Sequence, residues 1–187
     1  MQHYDRIGKD VVRLSVPTTP ADANGLGHVF GGMIFGLMER AAYIISTRHT
    51  GLTCVARGMG DVEFAQAVNV GEVLHVVAEV LVSQGTSVVV QVDVFAEAID
   101  KGEVRHTNAC LATMVALGPD GKPTQVPEKT PHDRAGMIRY LTGMKAKATS
   151  SQARHQLSEE AARLTVLTDQ DLKSEIEASI DARRGTA

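Results

Sequence analysis

The residues best suited to chemistry lie in one stretch, positions 21–49, which reads ADANGLGHVFGGMIFGLMERAAYIISTRH. Asn24 stands in a glycine-rich segment, Gly31 and Gly32 open an apolar run, and Glu39 lies within that run. Backbone N–H groups at a helix N-terminus lack partners inside the helix and favour negative charge. Because Gly31 and Gly32 carry no side chain, a ligand carbonyl could approach this backbone as in an oxyanion site. Glu39 would be the neighbouring carboxylate, able to act as a general base or a nucleophile.

Each of these residues also has an ordinary structural interpretation. The two glycines can simply permit tight packing at a helix start. Glu39 can form an ion pair with Arg40 or with an arginine of a partner chain. Asn24 can be a plain turn residue. The residue types by themselves leave both interpretations open.

Other catalytic patterns are absent from the sequence. It contains no G-x-S-x-G nucleophile elbow, no G-x-x-x-x-G-K-[ST] phosphate loop and no H-E-x-x-H zinc helix. The seven histidines are scattered without ligand spacing beside cysteines or carboxylates, so we expect no metal site. Cys54 and Cys110 fall in strand patterns, and we interpret both as small buried hydrophobic residues rather than nucleophiles or a disulfide.

A helix and a sheet must position the candidate residues. The apolar residues of 33–49 recur at helical spacing and, with Phe35 and Tyr43, cover most of the circumference, which predicts a buried helix that stops near Gly51. Residues 11–17 are a short strand candidate, and alternation with a period of two predicts strands at residues 52–63, 73–83, 87–97 and 105–117. Tight turns between consecutive strands indicate an antiparallel sheet. We therefore predict an α+β fold in which a curved antiparallel sheet wraps around a central helix.

The chain is expected to have two parts. Residues 1–131 contain the helix and the strands, and residues 132–187 form a helical C-terminal extension with helices at 133–146 and 157–182. We interpret the extension as an amphipathic lid or an oligomer helix. One sheet of this kind exposes an edge strand, so pairing with a second copy is expected.

Composition excludes several classes of protein. The 187 residues carry a formal net charge of -3, which attracts neither nucleic acid nor an anionic membrane. Aromatic residues make up only 4%, too few for a base-stacking platform. No uncharged run reads as a transmembrane helix, and the charged N-terminus lacks a signal-peptide core. We expect a cytoplasmic protein without nucleic-acid or membrane partners.

The motifs of residues 10–130 together resemble hotdog-fold acyl-CoA thioesterases of the cytosolic acyl-CoA hydrolase type. The centre of the resemblance is V-F-G-G followed by an acidic residue seven positions later, flanked by Asp22-Ala23-Asn24 and Leu37-Met38-Glu39. It continues through Val70-Gly71-Glu72, Gly85-Thr86-Ser87 and Gly121-Lys122-Pro123. The resemblance implies a homodimer at minimum, often a trimer of dimers. It also implies hydrolysis of acyl-CoA to free fatty acid and CoA without a metal or a separate cofactor.

Site residues follow from the resemblance position by position. Asn24 matches the catalytic asparagine of the family, and Glu39 occupies the position of its catalytic acid, which is more often the shorter Asp. Gly32, with Gly31 beside it, would supply the N–H group that polarises the carbonyl. The resemblance leaves open whether water or the carboxylate attacks. Residues bordering the pantetheine or acyl channel would be Phe64, Thr86 and Ser87, and contacts to the CoA phosphates would come from Arg48, His49 and Arg57.

Two alternative functions compete with hydrolysis. A hotdog hydratase or dehydratase resembles D-x-N-P-x-H, but here Asp22 and His28 lie six apart and Gly25 stands in the proline position. A non-enzymatic acyl-CoA sensor that binds DNA would need a basic helix-turn-helix ahead of the fold, and only ten residues precede the first predicted strand. A sensor acting through protein partners stays open.

The distance along the helix predicts how the site is shared. Gly32 and Glu39 are seven residues apart, which is about 10 Å along a helix. Direct attack needs about 3–3.5 Å, so the two residues of one chain cannot serve the same carbonyl. We therefore predict, in line with the family, that Asn24 and Gly32 of one chain work with Glu39 of the other.

Overall fold

The computed structural model describes residues 11–184. One strand, one long helix, four further strands and two C-terminal helices follow each other along this part of the chain. A short 3-10 helix, Pro20–Asp22, separates the first strand from the first helix. The bounds are β1 Val11–Pro17, α1 Gly31–Thr50, β2 Thr53–Phe64, β3 Val73–Gln84, β4 Ser87–Ala98, β5 Glu103–Leu117, α2 Arg134–Thr165 and α3 Asp169–Arg184.

The strands of the described chain form one five-stranded antiparallel sheet in the order β1-β3-β4-β5-β2. Strands β3, β4 and β5 are joined by tight hairpins, as predicted. Gly85 and Gly102 adopt φ values of 64° and 66° in these turns, a left-handed conformation that favours glycine. The edges of the sheet are therefore β1 and β2.

The core lies between α1 and one face of the sheet, which confirms the predicted wrapping of sheet around helix. Alternate residues of β3 are fully buried, and the same holds for β4 and β5. Burial of a Val or Leu side chain contributes roughly 1.5–3 kcal/mol, so this row of aliphatic residues dominates the stability of the domain. Fully buried members of the row are Leu74, Val76, Ala78, Val80, Val90, Val92, Val94, Ala112 and Met114.

Helix α1 ends where the sequence predicted. Gly51 has φ 72° and donates its N–H to the Thr47 carbonyl, which closes the last turn. The prediction of a helix buried on nearly all sides was wrong for a single chain. Phe35 and Tyr43 are 40% and 42% exposed, and they lie on one strip with Gly32, Gly36 and Glu39. The sheet covers only the opposite side of the helix.

The C-terminal helices differ from the prediction at two places. Residues 147–156 are helical because they include good helix formers, although their lack of an apolar stripe hid them from a periodicity search. The break between α2 and α3 falls at 166–168, where Thr168 and Asp171 exchange hydrogen bonds in a capping box. No helix in residues 11–184 is long and apolar enough to span a membrane.

The chain divides into two compact units, one up to Lys147 and one from Ala148 onward. The first part of α2 belongs to the first unit and covers the outer face of the sheet. There Tyr140 and Met144 pack against a second cluster of buried residues, and Gly143 lies close to that cluster. The buried members of the cluster are Leu81, Val82 and Val89. The predicted domain boundary at residue 131 stays a prediction.

Candidate active site

Asn24 lies in the loop of residues 18–30 between β1 and α1, called the Asn24 loop below, and its hydrogen bonds hold the loop together. Its side-chain Oδ1 accepts hydrogen bonds from the backbone N–H groups of Leu26 (2.9 Å) and His28 (3.2 Å). Its own backbone N–H donates to the His28 carbonyl at 2.7 Å, and Gly27, with φ 81°, donates to the Asn24 carbonyl. These bonds fix the amide group, so that its Nδ2 is the part left for a ligand. Within residues 11–184 this Nδ2 donates to no protein atom.

The N-terminus of α1 presents two unused donors. Met33 and Ile34 donate their N–H groups to the Phe30 carbonyl, while the N–H groups of Gly31 and Gly32 donate to no atom of the described chain. Phe30 itself donates to the Asp22 carbonyl at 2.7 Å, which ties the helix start to the Asn24 loop. Two adjacent free N–H groups at a helix N-terminus can stabilise a negative oxygen.

Aromatic rings flank these donors. A Cβ atom built on Gly32 would stand 2.3 Å from the Phe30 ring, and one built on Gly31 would stand 3.1 Å from the Phe64 ring. Both rings are more than half exposed. The glycines therefore do fit close packing, the ordinary interpretation, but the neighbours are exposed rings rather than core. Phe64 is the predicted residue that the structure brings to this end, and Phe30 is one that the sequence argument missed.

Glu39 lies on the exposed strip of α1, flanked by the buried Met38 and Ala41. Its carboxylate is half-buried and forms no ion pair with Arg40 or with any other residue in the described chain. The ordinary interpretation as an intrachain ion pair is therefore wrong. Gly36, one turn earlier on the same strip, has no atom within 4 Å of the position of a Cβ.

The remaining predicted residues gather at the opposite end of the sheet. The Asn24 loop lies beside the start of β3, because Val29 donates to the Val68 carbonyl. Strand β3 has 12 residues, so its end lies roughly 36 Å along the strand from its start. Thr86 lies just beyond that end. Arg48 is about 24 Å from Gly32 along α1. Apart from Phe64, one chain therefore does not bring the predicted channel and phosphate residues to Asn24 and Gly32.

This second end has its own contacts. Ser87 is buried, and its Oγ accepts a hydrogen bond from the Lys147 ammonium at 2.8 Å. Thr86 is half-buried, and its carbonyl accepts the Ala116 N–H. Arg48 and Arg57 are exposed and His49 is half-buried, with Arg57 at a register shift in β2. Lys147 adds a cation that sequence reasoning missed because it placed that segment in the C-terminal extension.

A buried ion pair supports the segment on which the Asn24 loop rests. The Arg105 guanidinium donates to both carboxylate oxygens of Glu72 at 2.7 Å, and Glu72 is only 8% exposed. The same carboxylate accepts the backbone N–H and the side-chain amide of Asn69. The Arg105 hydrogen bonds, helped by those from Asn69, lower the pKa of Glu72 to about 2 although burial opposes this.

Asp22, the acid of the hydratase alternative, is occupied elsewhere. Its Oδ2 accepts the N–H and the hydroxyl of Thr19, both at 2.8 Å, in a capping box of the 3-10 helix. The backbone hydrogen bond from Thr19, with that from its hydroxyl, lowers the pKa of the Asp22 carboxyl. This arrangement gives the carboxylate a structural role.

The two cysteines are buried in the core, as predicted, at 1% and 3% exposure for Cys54 and Cys110. Burial raises the pKa of the Cys110 thiol to about 12, which keeps it protonated. In residues 11–184 no group of three or more His, Cys, Asp or Glu residues could hold a metal ion. The expectation that catalysis needs no metal stays a prediction.

Comparison with known proteins identifies the family to which this fold belongs. A family model described as the thioesterase superfamily matches residues 26–103. Protein VdlD of Helicobacter pylori is 36% identical over 134 residues, which are 72% of this chain and 75% of that protein. The cytosolic acyl coenzyme A thioester hydrolase of Homo sapiens is 42% identical over 105 residues, which are 52% of this chain but 27% of that protein. An apo-hexameric acyl-CoA thioesterase superposes with a TM-score of 0.73 and 26% identity, over 77% of this chain and 92% of that one.

The sheet wrapped around one helix, with unused donors at the helix start, is the hotdog fold of a thioester hydrolase. The chain belongs to the thioesterase superfamily.

Proposed function

We propose that this chain hydrolyses fatty acyl-CoA to free fatty acid and CoA, in sites shared by two copies of the chain. The observation that carries the proposal is the group of unused donors at the start of α1. The Gly31 and Gly32 N–H groups and the Asn24 Nδ2 lie on segments joined by the Phe30–Asp22 hydrogen bond. Relatives that share this fold carry the names acyl-CoA thioester hydrolase and acyl-CoA thioesterase.

The geometry suggests a role for each group. The thioester carbonyl binds at the Gly32 N–H, with Gly31 beside it, so that the developing oxyanion meets fixed donors. Asn24 positions the water or the carbonyl through its Nδ2. Glu39 takes a proton from water as the water oxygen attacks the carbonyl carbon. The C–S bond then breaks, and the proton passes to the leaving thiolate to give CoA and the carboxylic acid.

Direct attack by the Glu39 carboxylate is the second route to the same products. It would form a mixed anhydride and release CoA, and water would then hydrolyse the anhydride to regenerate Glu39. The two routes differ in the source of the oxygen that first enters the acyl group. A single turnover in ¹⁸O-labelled water reveals the anhydride route when water attacks the Glu39 carbonyl, because the first product then carries an unlabelled oxygen from Glu39 and the label stays on Glu39.

An antiparallel second copy would complete the site. Pairing the Gly32 position of one α1 with Glu39 of the partner subunit puts the two-fold axis between residues 35 and 36. Gly36 leaves open space there, and Phe35 is 40% exposed, so a second helix can approach closely. This pairing supports a homodimer as the smallest active unit.

The same pairing accounts for the residues at the far end of the chain. The C-terminal end of one α1, with Arg48 and His49, would lie alongside the Asn24 loop of the other copy. Arg48, Arg57 and His49 would then contact CoA phosphates. Thr86, Ser87 and Phe64 would border the channel for pantetheine and the acyl chain. The hexameric state of a structural relative supports a trimer of dimers as the larger assembly.

Thiol release from a panel of acyl-CoAs, from acetyl to palmitoyl, tests the reaction. We expect release with the wild type and a loss of about 10²–10⁴ in kcat for Glu39→Gln, because a general base is removed while size is kept. Glu128→Gln, an exposed carboxylate on a loop, is the matched control and should keep full activity. Hydration of crotonyl-CoA without thiol release would favour the hydratase alternative. Glu39→Gln above a third of wild-type kcat would remove Glu39 from its role.

Complementation tests the shared site. Asn24→Ala and Glu39→Ala should each keep only a small, measurable residual activity, and refolding their mixture makes about half of the dimers mixed. Every mixed dimer would hold one intact site, so activity should return to about a quarter of wild type if the sites act independently. Subunit exchange is checked separately with two differently tagged chains. Absence of recovery despite proven exchange would show that each site is built within one chain.

A further inference from the structure

We propose that Glu72 and Arg105 form a positioning pair that holds the Asn24 loop in its active conformation. Neither side chain belongs to the groups assigned above to bind or cleave substrate. The inference rests on the proposed role of Asn24. It is carried by three hydrogen bonds that connect the Glu72 carboxylate to the Asn24 amide through adjacent backbone residues.

The series begins at the Glu72 carboxylate. Its two oxygens accept four N–H groups, two from Arg105 and two from Asn69, at 2.7–3.2 Å. Arg105 also donates to the Ala67 carbonyl at 2.8 Å. Glu72 and Arg105 therefore hold residues 67–69 through charge-assisted hydrogen bonds, which are stronger than neutral ones. Residues 67–72 are called the platform below.

Residues 68 and 69 in turn carry the Asn24 loop. Val29 donates its N–H to the Val68 carbonyl at 2.9 Å, and His28 forms an isolated antiparallel bridge with Asn69. The His28 N–H is one of the two donors that fix the Asn24 Oδ1. Three hydrogen bonds therefore connect the Glu72 carboxylate to the Asn24 amide, whose Nδ2 has no partner in the described chain.

Thr18 binds the first end of the Asn24 loop to the same platform, residues 67–72. Thr18 is 5% exposed, and its hydroxyl donates to the Glu72 carbonyl at 2.8 Å and accepts the Gly71 N–H at 3.0 Å. Thr18 directly follows β1 and leads into the loop. Both ends of the loop are thus held against residues 67–72: the Thr18 end contacts the Glu72 backbone carbonyl, and the His28 end contacts the segment that the Glu72 carboxylate holds.

Substitution of Glu72 by Gln removes the charge and turns one acceptor into a donor that faces Arg105. We expect the fold to survive and the platform to loosen. A displacement of about 1 Å of a positioned group can cost 10²-fold in rate, so kcat should fall roughly 10- to 100-fold, with a smaller change in KM. Glu175→Gln is the matched control, because it removes one partner of the exposed Arg163 in the second unit. It should leave both constants unchanged.

A double-mutant cycle separates positioning from a general structural loss. If Glu72 acts through Asn24, then Glu72→Gln should lower kcat in the wild type but have less than about a twofold effect in the Asn24→Ala background. An equal fold-change in both backgrounds would overturn the proposal. Arg105→Lys keeps the charge without the bidentate fork, and it replaces Glu72→Gln in the cycle if that variant fails to fold.

Hydrogen–deuterium exchange tests the inference without any substrate. In Glu72→Gln the amides of residues 26–29 should exchange at least tenfold faster than in the wild type, while Glu175→Gln leaves them unchanged. Unchanged exchange at these amides would overturn the positioning role whatever the activity. Faster exchange in a protein that releases no thiol from any acyl-CoA would retain the structural role and refute the proposed function instead.

Discussion

Acidification should remove a defined part of the stability that Glu72 contributes. The pKa of this carboxyl is about 2 in the folded chain against an ordinary value of 4.5, chiefly because Arg105 donates two hydrogen bonds to it. A pKa that is lowered by folding stabilises the fold at a pH above the unfolded value. That stabilisation is lost as the pH falls from about 4.5 towards 2. The difference between the two pKa values corresponds to roughly 3 kcal/mol.

Urea unfolding at fixed protein concentration, followed by circular dichroism, measures this contribution. The free energy of unfolding of the wild type should exceed that of Glu72→Gln by roughly 3 kcal/mol at pH 7 and by about half of that at pH 3. The two proteins should converge near pH 2, where protonated Glu72 resembles Gln. Both proteins lose other carboxylates equally, so their difference isolates this one.

The exposed pair Glu160–Arg163 provides the comparison. Glu160→Gln should cause a much smaller difference, which 0.5 M salt removes because the pair is screened by solvent. The difference for Glu72→Gln should persist in salt because Glu72 is 8% exposed. A gap between wild type and Glu72→Gln that is the same at pH 7 and pH 3 would refute the reasoning, since an ionised Glu72 would then not be its source.

Three further predictions concern packing. Gly36→Ala creates no clash within one chain and raises helix propensity, but the added methyl group would lie at the proposed two-fold axis. Sedimentation should therefore show a weaker dimer, and thiol release should show lower activity. Gly143→Ala should lower the free energy of unfolding by about 1 kcal/mol, because its Cβ would stand 2.8 Å from the Leu81 Cβ and the overpacking exceeds the propensity gain. Cys54 and Cys110 should not react with a thiol reagent until urea unfolds the chain, because both are buried. Reaction of either under native conditions would contradict the packing of the core.

The sheet was predictable because aliphatic residues alternate with more polar ones along its strands. Strand β3 begins at Val73 both in the prediction and in the structure, and the glycine turns fix where one strand gives way to the next. The exposed strip of α1 was not predictable in the same way. Phe35 and Tyr43 extend the apolar pattern, but periodicity does not distinguish a face that packs on its own sheet from a face that packs on a second copy.

The site shows why single residues supported two interpretations. Asn24 is both a turn residue and a candidate catalytic residue, because its Oδ1 closes the loop while its Nδ2 is left unused. Gly31 and Gly32 both allow close packing and leave their N–H groups free. A sequence pattern identifies a residue but not its atoms. In Asn24, Gly31 and Gly32 the structural role and the candidate catalytic role fall on different atoms of the same residue. The role of Glu72 was hidden for a related reason, since its partner Arg105 is 33 residues away in the sequence.

The separation of the predicted residues within one chain is itself an argument about assembly. Sequence motifs give no distance, and the set that resembles one active site falls at two ends of the sheet, near Gly32 and near Thr86. Either the residues at the far end have no part in substrate binding, or a second chain running in the opposite direction brings them back. Glu39 favours the second of these, because this half-buried residue has no side-chain partner in the described chain and lies on the exposed strip of α1. A second chain packed on that strip would supply partners for the carboxylate. The exposed strip of α1 is therefore where we place the contact between copies.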